Sequence, residues 1–152
     1  MNKADREIKD PKELESIINR ARVCRLALSY EDRPYLVPLN FGYQDNRLYF
    51  HTGKTGKKID ILRKNPRVCF QMDVDLDVLS SENPCKWNMQ YRSVIGYGKA
   101  AFIEDPVEKR RALDVIVNHY SGQSGTYPDK LVDRLAIIEI CIERMTGKHS
   151  ED

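Results

Sequence analysis

A mainly β fold, an antiparallel β-barrel with flanking helices, is the class this 152-residue sequence predicts, and three observations carry it. Apolar and polar residues alternate with a period of two: Val68, Phe70, Met72 and Val74 against Cys69, Gln71 and Asp73, and Leu48 and Phe50 against Arg47, Tyr49 and His51. That is the period of a strand with one buried face. Polar turn residues at Glu31-Asp32-Arg33-Pro34 and Gln44-Asp45-Asn46 join successive runs directly, as hairpins do. About three helices stand among six strands, too few for the regular crossovers of a doubly wound sheet.

The first element is a helix over about residues 10–21. Asp10 reads as its N-cap, Pro11 as its first helical residue and Glu13 as the capping-box partner. Leu14, Ile17, Ile18 and Ala21 give it an apolar stripe. A strand from Val23 to Tyr30 follows, with Cys24, Leu26 and Leu28 on one face, and turns into a second from Tyr35 to Tyr43. Pro38 lies inside that second strand and donates no ladder hydrogen bond, so it marks an edge, a bulge, or a place where something other than a strand meets the backbone. The third strand holds Leu48 to His51. A helix from Lys57 to Lys64 comes next and stops at Asn65-Pro66.

Val68 to Val74 is the fourth strand, and Leu76 to Trp87 reads as a long polar loop ending at the only tryptophan. A fifth, long strand runs from about Met89 to Ile103. In it Gly96 and Gly98 share a face, where missing side chains admit another backbone or a flat ligand. Asp105-Pro106 with Glu108 opens a helix whose stripe is Leu113, Ile116, Val117 and Tyr120, and Ser121 to Gly125 breaks it. His119, beside Tyr120, reads as a surface residue. A short helix after Pro128, a last strand from Leu135 to Ile142 and a polar, frayed tail from Thr146 to Asp152 complete a single domain over residues 1–152.

Composition narrows the function classes. The sequence is 41% apolar and 32% charged, as globular chains are, and its net charge of +2 gives no bulk attraction to nucleic acid. The most apolar stretch, Leu135 to Ile142, is far too short to span a bilayer and contains Glu139. The charged N-terminal residues lack a signal-peptide pattern, so a cytoplasmic location is expected. Four cysteines, Cys24, Cys69, Cys85 and Cys141, sit far apart without metal-ligand spacing, so no metal site is expected. Three fall in strands as small buried hydrophobes, and Cys85 in its polar loop is expected to be accessible.

The chemistry concentrates where the third strand meets the helix after it. Thr52, Gly53, Thr55 and Gly56 supply hydroxyls and open backbone N–H groups, and Lys54, Lys57 and Lys58 add positive charge at a helix start. A helix N-terminus presents free N–H donors and the positive end of the helix dipole, which suits a phosphate. The spacing is not that of a P-loop, because Gly53 and Gly56 stand too close together and Ile59 follows Lys58 where a hydroxyl is needed. A solvated lysine-rich loop is the alternative reading of the same residues.

In order and spacing, several segments together resemble the flavin-binding split-barrel proteins related to pyridoxamine 5′-phosphate oxidase, and within them the nitroimidazole-resistance branch. They are Arg22-Val23-Cys24-Arg25-Leu26-Ala27, the run Tyr35 to Gly42, Leu48-Tyr49-Phe50-His51, Gly56-Lys57-Lys58, Asn65 to Phe70, and Tyr91 to Gly98. The resemblance implies a six-stranded, Greek-key split barrel that forms a homodimer, with flavin mononucleotide (FMN) in grooves at the subunit interface. It places the backbone of Val37, Pro38, Leu39 and Asn40 along the flavin ring, and His51 and Thr52 at the ribityl and phosphate end. Lys57 and Lys58 would meet the phosphate, and Arg92 and Ser93 would close the site. Trp87 would line the pocket or else anchor the core, Arg92 would touch the ligand or else pair with Asp73 or Asp75, and His51 would serve the cofactor or else make a structural hydrogen bond. No residue is singled out as catalytic.

The activity that follows is an oxidoreductase reducing a small acceptor, such as a nitroaromatic, with electrons from a nicotinamide or a protein donor. Vitamin B6 oxidation is not expected, since the oxidase's substrate-binding arginine and histidine near the C-terminus have no match. The alternative is a flavin or haem module without turnover, with FAD or haem in place of FMN. Nucleic-acid binding through Lys54, Lys57, Lys58, Arg63 and Lys64 is disfavoured by the balanced charge.

Overall fold

The computed structural model describes residues 3–150. After a short 3-10 turn, the strands are β1 (Glu7–Ile8), β2 (Cys24–Tyr30), β3 (Arg33–Leu39), β4 (Gly42–Gln44), β5 (Arg47–Gly53), β6 (Arg67–Leu79), β7 (Asn88–Ile103) and β8 (Leu135–Ser150). The helices are α1 (Pro11–Arg20), α2 (Lys57–Lys64), α3 (Pro106–Ser121) and α4 (Asp129–Arg134). All strand pairings are antiparallel, in the order β3-β2-β6-β7-β8-β5-β4, with β1 added on β8.

That order dictates a barrel. The two ends of the sheet, β3 and β4, are joined only by Asn40 and Phe41. Three peptide steps reach at most about 11 Å. The sheet must therefore curl until its ends meet, leaving a seam between β3 and the β4/β5 pair.

Both tight turns follow the residue chemistry. Glu31, Asp32, Asp45 and Asn46 all take positive φ, between 50° and 62°, as the two central residues of a hairpin that matches strand twist must. Inside the barrel lie Cys24, Leu26 and Leu28 of β2, Leu48 and Phe50 of β5, Val68, Phe70 and Met72 of β6, and Ile138, Ile140 and Ile142 of β8. α1 covers one end with Leu14, Ile17 and Ile18, while α3 and α4 cover the outer side of β5 and β8 through Ala112, Leu113, Val132 and Ile137. Asp10 caps α1 by accepting from Lys12 N at 3.0 Å, and Asp105 caps α3 by accepting from Glu108 N at 3.0 Å. Glu13 does not close a capping box; its carboxylate pairs with Arg92.

Several expectations need correction. Among the described residues there are eight strands, not six: the run Tyr35 to Tyr43 breaks at Asn40-Phe41 into β3 and β4, and β1 is additional. β6 does not end at Val74. It passes through a bulge between Val74 and Asp77 and continues to Leu79, so part of the expected loop is strand. The tail from Thr146 is not frayed up to Ser150, because Thr146 pairs with Ile95 and Ser150 with Tyr91; residues 151–152 lie outside the described residues. Gly96 does not open a face to a flat ligand. A Cβ there would lie 2.1 Å from the tip of the Phe70 ring, so the glycine admits a core side chain. Cys24 is buried, which pushes its thiol up to about 12, whereas Cys141 is exposed like Cys85, because it points away from the barrel interior. No helix among the described residues is long and apolar enough to cross a membrane.

Candidate functional site

The N-terminus of α2 lies at the barrel seam. Lys57 Nζ stands 4.6 Å from the centre of the Tyr35 ring on β3. Lys58 stands close enough to His51 on β5 for its charge to act on that imidazole. One turn of helix thus reaches both open ends of the sheet. Gly56, the residue before α2, has φ +130 and supplies no side-chain cap. A residue with a Cβ adopts that conformation only with strain, and its lack of a polar side chain leaves the first N–H groups of the helix without a side-chain partner. An uncapped N-terminus, two ammonium groups and the hydroxyl of half-buried Thr52 form an anion cradle.

His51 responds to that surrounding. Partial loss of solvent around its ring, followed by the charge of Lys58, holds it below the ordinary histidine range. Both effects disfavour the imidazolium, and an incoming anion would favour it. Lys58 is likewise held below the usual lysine range by partial burial.

Val37, Pro38 and Leu39 lie on β3, an end strand of the sheet, and Asn40 follows it directly. Pro38 sits opposite Arg25, so its missing N–H falls on an edge strand, where it is tolerated. The side of β3 facing away from β2 has no strand partner and offers backbone groups to a ligand.

The remaining expected residues lie elsewhere on the chain. Register across the sheet runs Pro38, Arg25, Gln71, Ile95, which puts β7 three strand spacings, about 14 Å, from β3. Ser93 faces Asp73, and its hydroxyl lies 3.4 Å from Lys148 O. Arg92 pairs with Glu13 and, through Nε at 3.6 Å, with Asp75, one of the two aspartates weighed for it. Trp87 is no core anchor: it is 55% exposed, with its indole N–H donating to Ser81 O at 2.6 Å. Within one chain the candidate residues therefore form two groups. Val37 to Asn40, His51, Thr52, Lys57 and Lys58 surround the seam, while Trp87, Arg92 and Ser93 belong to β7 and its approach.

Asp75 organises the surroundings of Arg92. It occupies the bulge of β6 with φ +57 and accepts a 2.7 Å bond from Arg20. That bond holds its carboxyl below the usual carboxylate range, with the charges of Arg20 and Arg92 acting in the same sense. The fold favours the carboxylate, so this contribution is complete above the ordinary carboxyl pKa and is lost as pH falls below about 4. Stability of Asp75→Asn is expected to fall less steeply than the parent's between about pH 4 and pH 2, read by urea unfolding; equal slopes would remove the ion cluster from the account.

Sequence reasoning missed two features. His119 is not simply on the surface: it packs 4.2 Å from Phe41, with Nε2 2.7 Å from Ala21 O, while Tyr120 donates to Arg22 O and accepts from Phe41 N. Lys109 is buried, although its position on α3 carried no signal beyond helical spacing.

Comparisons with known proteins agree with this fold. The family model described as pyridoxamine 5′-phosphate oxidase matches residues 10–149. A candidate 5-nitroimidazole antibiotic resistance protein from Bacteroides thetaiotaomicron has a structure similar to this one at TM-score 0.84 and 36% identity, over 95% of this chain and 90% of that one. An FAD-binding protein from Mesorhizobium loti is similar at TM-score 0.69 and 26% identity, over 94% and 96% of the two chains. An FAD- and haem-binding protein from Mycobacterium smegmatis shares the fold at TM-score 0.85 and 16% identity, over 97% and 74%. An uncharacterised protein from Rhizobium meliloti is 37% identical over 60 residues, which span 40% of this chain and only 39% of that protein's length.

Proposed function

The chain belongs to the pyridoxamine 5′-phosphate oxidase family, whose model spans nearly all of it, and from that premise we propose that it is a homodimeric flavoprotein. It holds FMN at the subunit interface and reduces a small acceptor, with nitroaromatic compounds as the acceptor class and a nicotinamide or a protein as electron donor. The observation that carries the reading is the anion cradle at the seam: an uncapped α2 N-terminus with Lys57 and Lys58, beside His51 and Thr52. A phosphate monoester dianion fits that donor set.

Bound flavin supplies the electron-transfer chemistry. The chain's own residues bind and orient. Lys57 and Lys58 hold the phosphate end, and the free edge of β3 from Val37 to Leu39, with Asn40 just beyond it, offers backbone donors and acceptors to the polar edge of a flat ring. The other group, Trp87, Arg92 and Ser93, would reach the same ring from a second copy. The outer barrel face between the groups suits that pairing. Leu36 is 61% exposed there, Ile95 and Tyr97 are exposed too, and Ala27 and Cys69 lie between them in register. Sedimentation equilibrium is expected to give twice the chain mass; a monomer at micromolar concentration would leave Arg92 and Ser93 without a route to the flavin.

Two further results are expected. The His51 imidazole, held low in the free protein, moves to higher pKa when FMN binds, because the phosphate favours its charged form. Titration by NMR with and without FMN reads this, and a histidine that does not move would put the phosphate elsewhere. Turnover of a nitroimidazole with reduced nicotinamide exceeds that of an equal concentration of free FMN. Equal rates would leave flavin binding and remove the reductase.

A further inference from the structure

A second cluster of cations includes neither Lys57 nor Lys58. It surrounds a cavity of about 260 Å³ between the β5–α2 loop, the end of β7, the start of β8 and α3, and the cations are Lys54, Arg63 and Lys109. Lys109 is the informative member. It is 5% exposed, and its ammonium donates to Leu135 O at 2.9 Å and Val132 O at 3.3 Å. Two of its three N–H donors are thus used, both on neutral carbonyls. Six arginines, Arg20, Arg25, Arg47, Arg92, Arg110 and Arg111, are ion-paired with carboxylates. No described carboxylate forms an ion pair with Lys54, Arg63 or Lys109.

A buried ammonium satisfied only by carbonyls has its hydrogen bonds in place but no counter-charge, and removing a charge from water costs several kcal/mol unless one is supplied. Arg63 is fixed by stacking 4.3 Å over the Phe102 ring, which also lines the cavity. Lys54 stands two residues before the unstrapped glycine that opens α2. We propose that this cavity binds a phosphate group, with Lys109 as the buried charge and Lys54 and Arg63 as its rim. The volume is that of several water molecules at about 30 Å³ each, enough for a tetrahedral oxyanion with part of its hydration. Glu104, the acidic residue of the lining, opposes the bound charge and limits affinity. The phosphate is either a free ion or one esterified to a nucleotide, and the same donors recognise both. Neither Lys57 nor Lys58 lines this cavity, and the proposal does not depend on flavin binding.

The test uses the full chain carrying Lys57→Ala/Lys58→Ala, so that phosphate binding at the first cradle is weakened. Inorganic phosphate is titrated by calorimetry into this protein and into the same protein with Lys54→Ala/Arg63→Ala added, with circular dichroism confirming equal folding. Both added positions are exposed, so the fold is expected to survive. Phosphate binds the first protein, the added pair weakens it at least tenfold, and Glu104→Gln strengthens it. ADP binding more tightly than phosphate, and losing affinity with the same pair, identifies an esterified source; equal affinities identify the free ion. Absence of phosphate binding to the first protein, or an affinity unchanged by Lys54→Ala/Arg63→Ala, overturns the proposal.

Discussion

Replacing Lys57 and Lys58 together with alanine is expected to weaken FMN binding about a hundredfold while leaving riboflavin binding unchanged. Each ammonium makes a charge-assisted contact with the phosphate, worth about 1.5 kcal/mol net where water still reaches it, and about 3 kcal/mol for the pair corresponds to that factor. Neither side chain is needed for the core. Lys57 is exposed and rests on Tyr35, and Lys58 is half-buried at the first turn of an eight-residue helix whose packing depends on Ile59 and Leu62. Riboflavin separates binding from folding. It carries the same ring without the phosphate, so an equal loss for both ligands would mean that the lysines shape the groove and do not meet the phosphate. Fluorescence quenching of each ligand by the parent and the double variant gives both affinities.

Phe70→Ala is expected to destabilise the protein by about 3–5 kcal/mol, a large share of a typical domain's stability. The ring is fully buried and fills the space left by the missing side chain of Gly96, its partner across β6 and β7. Gly96→Ala alone forces a contact that cannot exist, with a methyl 2.1 Å from the ring tip, and is expected to cost about 1–3 kcal/mol. The two positions are coupled. Gly96→Ala in a Phe70→Leu background, where the ring tip is gone, is expected to cost less than in the parent. Denaturant unfolding of the four proteins gives the coupling, and strict additivity would mean that the sheet moves apart to relieve the contact.

Those two residues show what the sequence carried and what it did not. The alternation through Val68, Phe70, Met72 and Val74 placed the inner face of β6 correctly, because a period of two is local. The close approach at Gly96 is legible but not the group that makes it, because what fills the space above a glycine lies on another strand. The helix starts at Asp10 and Asp105 and the turn at Asp45-Asn46 were legible, since capping and positive φ are properties of a few adjacent residues. The continuation of β8 through polar residues to Ser150 was not, because that stretch is held by pairing with β7 and β1. The bulge at Asp75 also hid the extension of β6: it shifts the register, so alternation counted from Val68 fails beyond it.

The candidate site divides along the same line. Lys57, Lys58, His51 and Thr52 are close in sequence, and the structure keeps them together at the seam. Arg92 and Ser93 were placed there by resemblance, and in one chain the register puts them across the sheet, with Arg92 paired to Glu13 and Asp75. The buried charge of Lys109 left no trace in the sequence, because its carbonyl partners, Val132 and Leu135, lie more than twenty positions away.

The claim that the seam is a flavin site is tested most directly by mixing the purified protein with excess FMN, desalting, and recording the visible spectrum of the protein fraction. The account predicts two flavin bands, in the blue and the near ultraviolet, that stay with the protein at about one flavin per chain. A colourless protein fraction, or a sharp Soret band from haem in place of the flavin bands, would contradict it.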